Sequence, residues 1–237
     1  GMLNTRELLD IAFLLRAARR VKDYRGDESD RDTVLDSMFH ALHGGRFLED
    51  QITRAIPEEN EIADNASAGL ADIRRHMRAA GAKSRQILQK IVSSPTYSKA
   101  LQESLITQRD GRFVVPVKAE FRGEIPGLVH DVSSSGATLF VEPMGVVQAN
   151  NELKELEAKE KKEIERILMS LSQAAAGLGE EIRWDYDLLV HLDLIFARGQ
   201  LAYRMGGVRP AVGSDGHILL RHARHPLLER EKAVPID

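Results

Sequence analysis

A chain of 237 residues with 43% hydrophobic, 29% charged and 5% aromatic content holds enough apolar side chains for a core, and its balance suits extended helices better than a compact enzyme. The formal charge of -3 gives no overall basic field, so any contact with nucleic acid must come from local patches. The chain has no cysteine, which excludes disulfides, cysteine-ligated metals and thiol nucleophiles together.

No apolar run approaches the roughly 20 residues of a membrane helix. The start, Gly1-Met2-Leu3-Asn4, lacks the charged and apolar regions of a signal peptide, so a soluble, cytoplasmic protein is expected. Gly1 ahead of Met2 fits a residue left by tag removal, and the end at Val234-Pro235-Ile236-Asp237 has neither helix end nor polar tail; both suggest a fragment.

In chain order, Asn4 and Glu7 have capping-box spacing, and Leu8, Leu9, Ile11, Ala12, Leu15 and Ala18 follow at helical intervals, predicting a first helix over 4–21. A charged loop from Asp23 to Asp32 leads to a second helical pattern, Leu35, Met38, Phe39 and Leu42, ended by Gly44-Gly45. A third short helix carries Phe47, Leu48 and Ile52 and stops before Pro57. From Ser67 to Ser93 the positions Leu70, Ile73, Met77, Ile87, Leu88 and Ile91 predict another helix. Its other faces hold Arg74, Arg75, Arg78, Lys83, Arg85 and Lys90, with Asp72 alone opposing them along the segment: the strongest basic patch of the chain, either a solvated face or a nucleic-acid surface.

The period then changes. Leu105 to Thr107 leads through Arg109-Asp110-Gly111 into Arg112 to Val117, an Asp-Gly turn between β-prone runs and hence a hairpin. Two further strands, 127–132 and 137–141, flank the small-residue turn Ser133-Ser134-Ser135-Gly136. After Pro143 an apolar stripe from Val147 to Leu178 runs through dense Glu and Lys, predicting a helix of about 50 Å. A return helix from about Glu180 to Met205 ends at Gly206-Gly207, and the two are expected to form an antiparallel stalk. Ile218-Leu219-Leu220 and Ala223 to Leu228 read as a strand and turn opening another domain.

Few constellations carry chemistry. Gly81-Ala82-Lys83-Ser84 lacks the earlier glycine of a phosphate-binding loop and sits in a helical pattern. His130 and Asp131 beside Ser133, Ser134 and Ser135 supply the residue types of a hydrolase, but adjacent strand residues point to opposite faces and do not easily form one relay. His217, His222 and His225 match no strong metal spacing. No catalytic or metal residue is therefore assigned. Arg109, Arg112, Lys118 and Arg122 decorate the β segment and could meet phosphates, while Ser133, Ser134 and Ser135 allow close approach of a nucleic-acid backbone. Glu120, Glu124, Asp131 and Glu142 nearly cancel those charges, pointing to weak, shape-dependent contact.

Three runs, Gly111-Arg112-Phe113-Val114-Val115-Pro116-Val117-Lys118, Pro126-Gly127-Leu128-Val129-His130-Asp131 and Ser135-Gly136-Ala137-Thr138-Leu139-Phe140-Val141-Glu142-Pro143, resemble the clamp region of the MutS family. They are closest to its second bacterial branch, the MutS-two type, whose members lack the mismatch-reading domain. Asn150-Asn151-Glu152-Leu153 and the Glu/Lys-rich helix look like that branch's return into the lever, and Ala223-Arg224-His225-Pro226-Leu227-Leu228 is similar to the opening of the family's ATPase domain. The resemblance implies a mainly α fold: an elongated helical lever bundle with long antiparallel helices and an inserted small β-rich clamp module. Its parts would be a helical core/lever over 1–104, a clamp insertion over 105–144, lever helices over 145–207 and the start of an ATPase domain over 208–237. It implies a fragment of a mismatch-repair or recombination-control protein that binds branched or mismatched DNA as its partner, with no cofactor in these residues, ATP and Mg in the full-length protein, and self-dimerisation there, together with the C-terminal endonuclease domain typical of this branch. The rival reading is a protein-interaction or ribosome-docking module.

Overall fold

The computed structural model describes residues 1–25, 33–228 and 232–236; most of the expected Asp23-to-Asp32 loop and the last residue, Asp237, lie outside them. The helices are α1 (Thr5–Lys22), α2 (Asp36–His40), α3 (Arg46–Ala55), α4 (Ala68–Val92), α5 (Met144–Gly177) and α6 (Gly179–Met205). The strands are β1 (Thr107–Arg109), β2 (Arg112–Lys118), β3 (Gly127–Val132) and β4 (Thr138–Pro143). The chain forms two compact units, Gly1–Phe13 with Phe47–Gly177, and Leu14–Arg46 with Leu178–Asp237.

The first unit opens on the capping box of α1: the Glu7 N–H donates to Asn4 Oδ1 at 2.9 Å and the Asn4 N–H to Glu7 Oε2 at 2.8 Å. Helix α4 begins on a one-way cap, with Ser67 Oγ accepting from the Leu70 N–H at 2.9 Å. Its partner is α5. Ser67 meets Glu163, Arg74 meets Glu160 and Ser84 meets Asn150, so numbers rise on one helix as they fall on the other and the pair is antiparallel. Helix α5, the antiparallel lever helix expected to pair with its successor, thus finds its partner within this unit in α4, while α6 belongs to the second unit.

A four-stranded antiparallel sheet, ordered β1-β2-β4-β3, packs at one end of this pair. Asp110 and Gly111, at φ 50° and 73°, supply the two left-handed residues of a primed turn between β1 and β2. Alternation along β2 and β4 sends Phe113, Val115, Val117, Leu139 and Val141 into a core with Leu88 and Val92 of α4 and Val146 and Leu153 of α5. Pro116 sits inside this central strand without breaking it. Its carbonyl accepts from the Gln102 N–H, so its missing N–H faces the 100–102 segment and the β4 ladder loses nothing. On β3 the register with β4 slips between Val129 and Asp131, making His130 the extra residue of a bulge. Gly127 lies against the backbone of β4, where any side-chain carbon would collide with the Glu142 carbonyl.

In the second unit Ala18, Phe39, Leu42 and Leu192 form a small core. Helix α6 ends in a left-handed Gly206, φ 60°, with the Gly207 N–H reaching back to the Ala202 carbonyl at 2.9 Å. The strand expected at Ile218-Leu219-Leu220 does not form. These residues are exposed and no β-partner reaches them; the only pairing among the described residues there joins Ala223 to Ile236. A strand without a ladder leaves its backbone polar groups unmatched, so apolar content alone does not make one.

Candidate nucleic-acid interface and the carboxylate beneath it

Glu142, on β4, is fully buried, and three donors converge on it. Arg112 Nη1 reaches its two oxygens at 2.9 and 3.1 Å, Asn150 Nδ2 donates at 2.7 Å, and His130 Nε2 is hydrogen-bonded to Oε2. The bulge in β3 is what turns His130 to this carboxylate. Asn150 also donates to the Phe113 carbonyl at 3.0 Å, and Arg112 Nη2 extends to Asn151 Oδ1 at 2.7 Å. A charge in a low-dielectric interior is tolerable only when paired and saturated with hydrogen bonds, and Glu142 meets that condition. The cluster ties three strands to α5. Its chemistry is positional, since every oxygen is occupied.

The cations named by the sequence divide accordingly. Arg112 belongs to this cluster rather than to a phosphate-facing surface. Arg109 pairs with Asp131 at 3.1 Å and stacks over the Phe140 ring, 3.9 Å from its centroid. Lys118 Nζ donates to the Lys99 carbonyl at 3.1 Å. On α4, Arg74 binds Glu160 at 2.6 Å and Asp64 at 2.7 Å, Arg78 binds Asp64 at 2.9 Å, and Arg75 pairs with Asp72. The premise that Asp72 alone opposes this face is corrected: helix pairing and the turn before α4 bring in two further carboxylates. Lys83, Arg85 and Arg122 are exposed and pair with no carboxylate among the described residues. Ser133 Oγ accepts from the Thr138 N–H at 3.0 Å and closes its turn, leaving Ser134 and Ser135 exposed.

Two carboxylates are shifted below their ordinary values, Glu163 strongly. Glu163 is held at about 2 by hydrogen bonds from Arg166 and then Ser67, and Asp64 is lowered by those from Arg74 and then Arg78. Both stay ionised at neutral pH, so they anchor the seam and neutralise part of the basic face.

The hydrolase types do not converge: His130 faces Glu142, Asp131 faces Arg109, and Ser133 is engaged in its turn. Among the described residues no group of three acidic or imidazole side chains is arranged to hold a metal, His217, His222 and His225 included. Another imidazole–carboxylate pair, besides His130 with Glu142, escapes sequence reasoning. Asp185, fully buried on α6, accepts from the His43 N–H and the Gly44 N–H, both at 2.9 Å, with His43 Nδ1 at 3.0 Å from the same carboxylate. The signal was weak, because the two residues are 142 positions apart. The pair fixes the turn before α3, a structural use.

No helix among the described residues is long and apolar enough to cross a membrane. No family model matches the chain. Among curated proteins, endonuclease MutS2 of Ruminiclostridium cellulolyticum is 45% identical over 239 residues, covering 100% of this chain and 30% of that protein. Endonuclease MutS2 of Agathobacter rectalis is 46% identical over 239 residues, and that of Acetivibrio thermocellus 43% over 240, with the same coverage. The chain therefore spans about 30% of the length of the relatives it matches. Similarity that runs from end to end at this level supports the MutS2 family, with this chain resembling one segment of its members.

Proposed function

We propose that this chain is the lever and clamp segment of a MutS-type protein, which touches DNA through backbone contacts and shape and performs no chemistry itself. The observation that carries the reading is the contrast between a saturated buried cluster and exposed cations: Glu142, Arg112, His130 and Asn150 lock the sheet to α5, while Lys83, Arg85 and Arg122 are left to meet phosphates. The phosphate-facing set thereby narrows from the wider group of arginines, because Arg109 and Arg112 serve the sheet. Contacts to phosphate position a protein without reading bases, which suits recognition of branched or distorted duplex. In this reading ATP and Mg are used by a different part of the protein, which is also where self-dimerisation and any endonuclease activity belong.

The test is binding of the purified chain to a four-way DNA junction and to linear duplex of equal length across a salt series. Junction-selective binding that weakens with salt is expected. The Lys83→Ala, Arg85→Ala, Arg122→Ala triple variant should flatten the salt slope by about 0.9 for each phosphate that it no longer neutralises. An unchanged slope would remove these residues from the interface.

A second reading, a protein-docking module of which a ribosome-facing role is one version, is favoured by one observation. Helix α6 leaves Trp184, Tyr186, Val190, Leu194, Phe196 and Leu201 exposed. Large exposed apolar patches mark interaction surfaces more often than bare solvent faces. Absence of DNA binding at low salt would favour this reading.

A further inference from the structure

Helix α4 presents Arg78, Gly81, Ala82 and Arg85 at i, i+3, i+4 and i+7, which places them on one face. Between this face, Phe113 of β2 and Leu153 of α5 lies an open groove of about 450 Å3, with Met77 completing its wall. The floor is apolar. Its two cations stand seven residues apart, about 10 Å along the helix axis, one on either side of the small pair Gly81-Ala82. Arg85 reaches over the floor, its guanidinium 5.3 Å from the Phe113 ring centroid.

Gly81 makes the groove. A side-chain carbon there would have only the Phe113 ring nearby, at 3.9 Å, so the space is vacant rather than filled by a neighbour. Glycine weakens a helix interior relative to alanine, and neither packing nor a positive φ requires it at this position. Its consequence is the opening itself.

We infer that this groove takes an unstacked nucleobase, with Arg78 and Arg85 meeting the phosphates on its two sides; the inference rests on the DNA reading above. The order cation, apolar floor, cation matches the order phosphate, base, phosphate along a single strand. Bases freed from pairing stack on guanidinium planes as well as on aromatic rings; Phe113 is a core residue with Arg85 over its ring, so the plane offered to the base is the Arg85 guanidinium, and this binding tolerates any sequence because every base has a π-face. A base inside an intact duplex is already stacked and paired, so the groove selects DNA with an unpaired nucleotide, as at a bulge or a branch point. Arg78 already shares Asp64 with Arg74, and an incoming phosphate would compete for it. Arg85 has no such competitor, which makes it the stronger anchor.

The experiment compares affinities of the whole chain for three DNAs of equal length: a fully paired duplex, one with a single bulged nucleotide, and one with an abasic residue at the bulge. The bulged base should bind about ten-fold more tightly than its abasic counterpart, the size of one base stack. Gly81→Leu, which fills the groove from a helical position, should abolish that preference while leaving duplex affinity unchanged and raising, not lowering, the melting temperature. Equal affinity for base and abasic bulge in the unaltered chain overturns the inference without help from any variant, and so does a Gly81→Leu protein that keeps the preference. Those outcomes leave the DNA reading standing; failure to bind any of the three at low salt overturns both.

Discussion

Helices α5 and α6 are consecutive in sequence and similar in apolar richness, yet they are used differently. Over its 34 residues α5 buries Val146, Ala149, Leu153, Leu156, Ile167, Leu171 and Ala175, whereas α6, with 27 residues, buries only Asp185 and Leu192. One difference is the neighbour: α5 lies along α4 and under the sheet, while most large apolar side chains of α6 stay exposed. Apolar spacing therefore specifies a helix and its face, and a second, complementary element decides whether that face contributes to stability.

Substitutions on the two sides of this contrast should separate widely. The largest effect belongs to Glu142→Ala, which leaves Arg112, His130 and Asn150 without their shared acceptor and should cost about 3 kcal/mol or more in urea unfolding. A loss as small as that of a surface residue would mean that the cluster does not bind the sheet to α5.

An intermediate effect is expected from acid. Glu163 has its folded value depressed to about 2 from an ordinary 4.5, and Asp64 is shifted in the same direction. The stabilisation Glu163 gives the α4–α5 seam is complete above about pH 4.5 and is lost as pH falls through about 2, and that from Asp64 is lost in the same direction. Because Asp64 and the Arg166 partner of Glu163 are both exposed, solvent screens these pairs and the loss should be smaller than that of Glu142→Ala. Melting of the chain at pH 5 and pH 2, compared with a Glu163→Gln variant, checks this: the variant should show a smaller difference between the two pH values.

The smallest effect is predicted for Val190→Ala on α6, where the exposed side chain should change stability by no more than about 0.5 kcal/mol. A loss like that of a core residue would break the contrast between the helices.

Much of the architecture is legible in the residues. The reciprocal Asn4–Glu7 cap, the Asp110-Gly111 turn, the strands near 127–132 and 138–143, and the left-handed Gly206 are local signals, each set by a few adjacent side chains. What escapes a linear reading depends on pieces of chain far apart. Periodicity reports the buried face of α5 without saying that α4 covers it. Charges counted along the sequence near Arg74 include Asp72 alone, whereas Glu160 arrives from the antiparallel helix and Asp64 from the preceding turn. In the same way Arg112, which its position on a β segment offers as a phosphate contact, is the partner of a carboxylate thirty residues away. The run at 218–220 shows the converse, a strand-like composition that finds no ladder.

The junction between sheet and helix has a mechanical consequence. Strand β4 ends at Pro143 and α5 begins at Met144, with no residue of loop between them, and the Asn150–Glu142 bond fastens the two again within the first two turns of the helix. On the other side of the sheet the path from α4 to β1 runs through residues 93–106. The sheet thus continues one shaft directly, so a twist applied to α5 is transmitted to it as torque with little slack, while α4 grips it from the side, through Leu88 and Val92 in the shared core and through the 100–102 stretch bonded to β2.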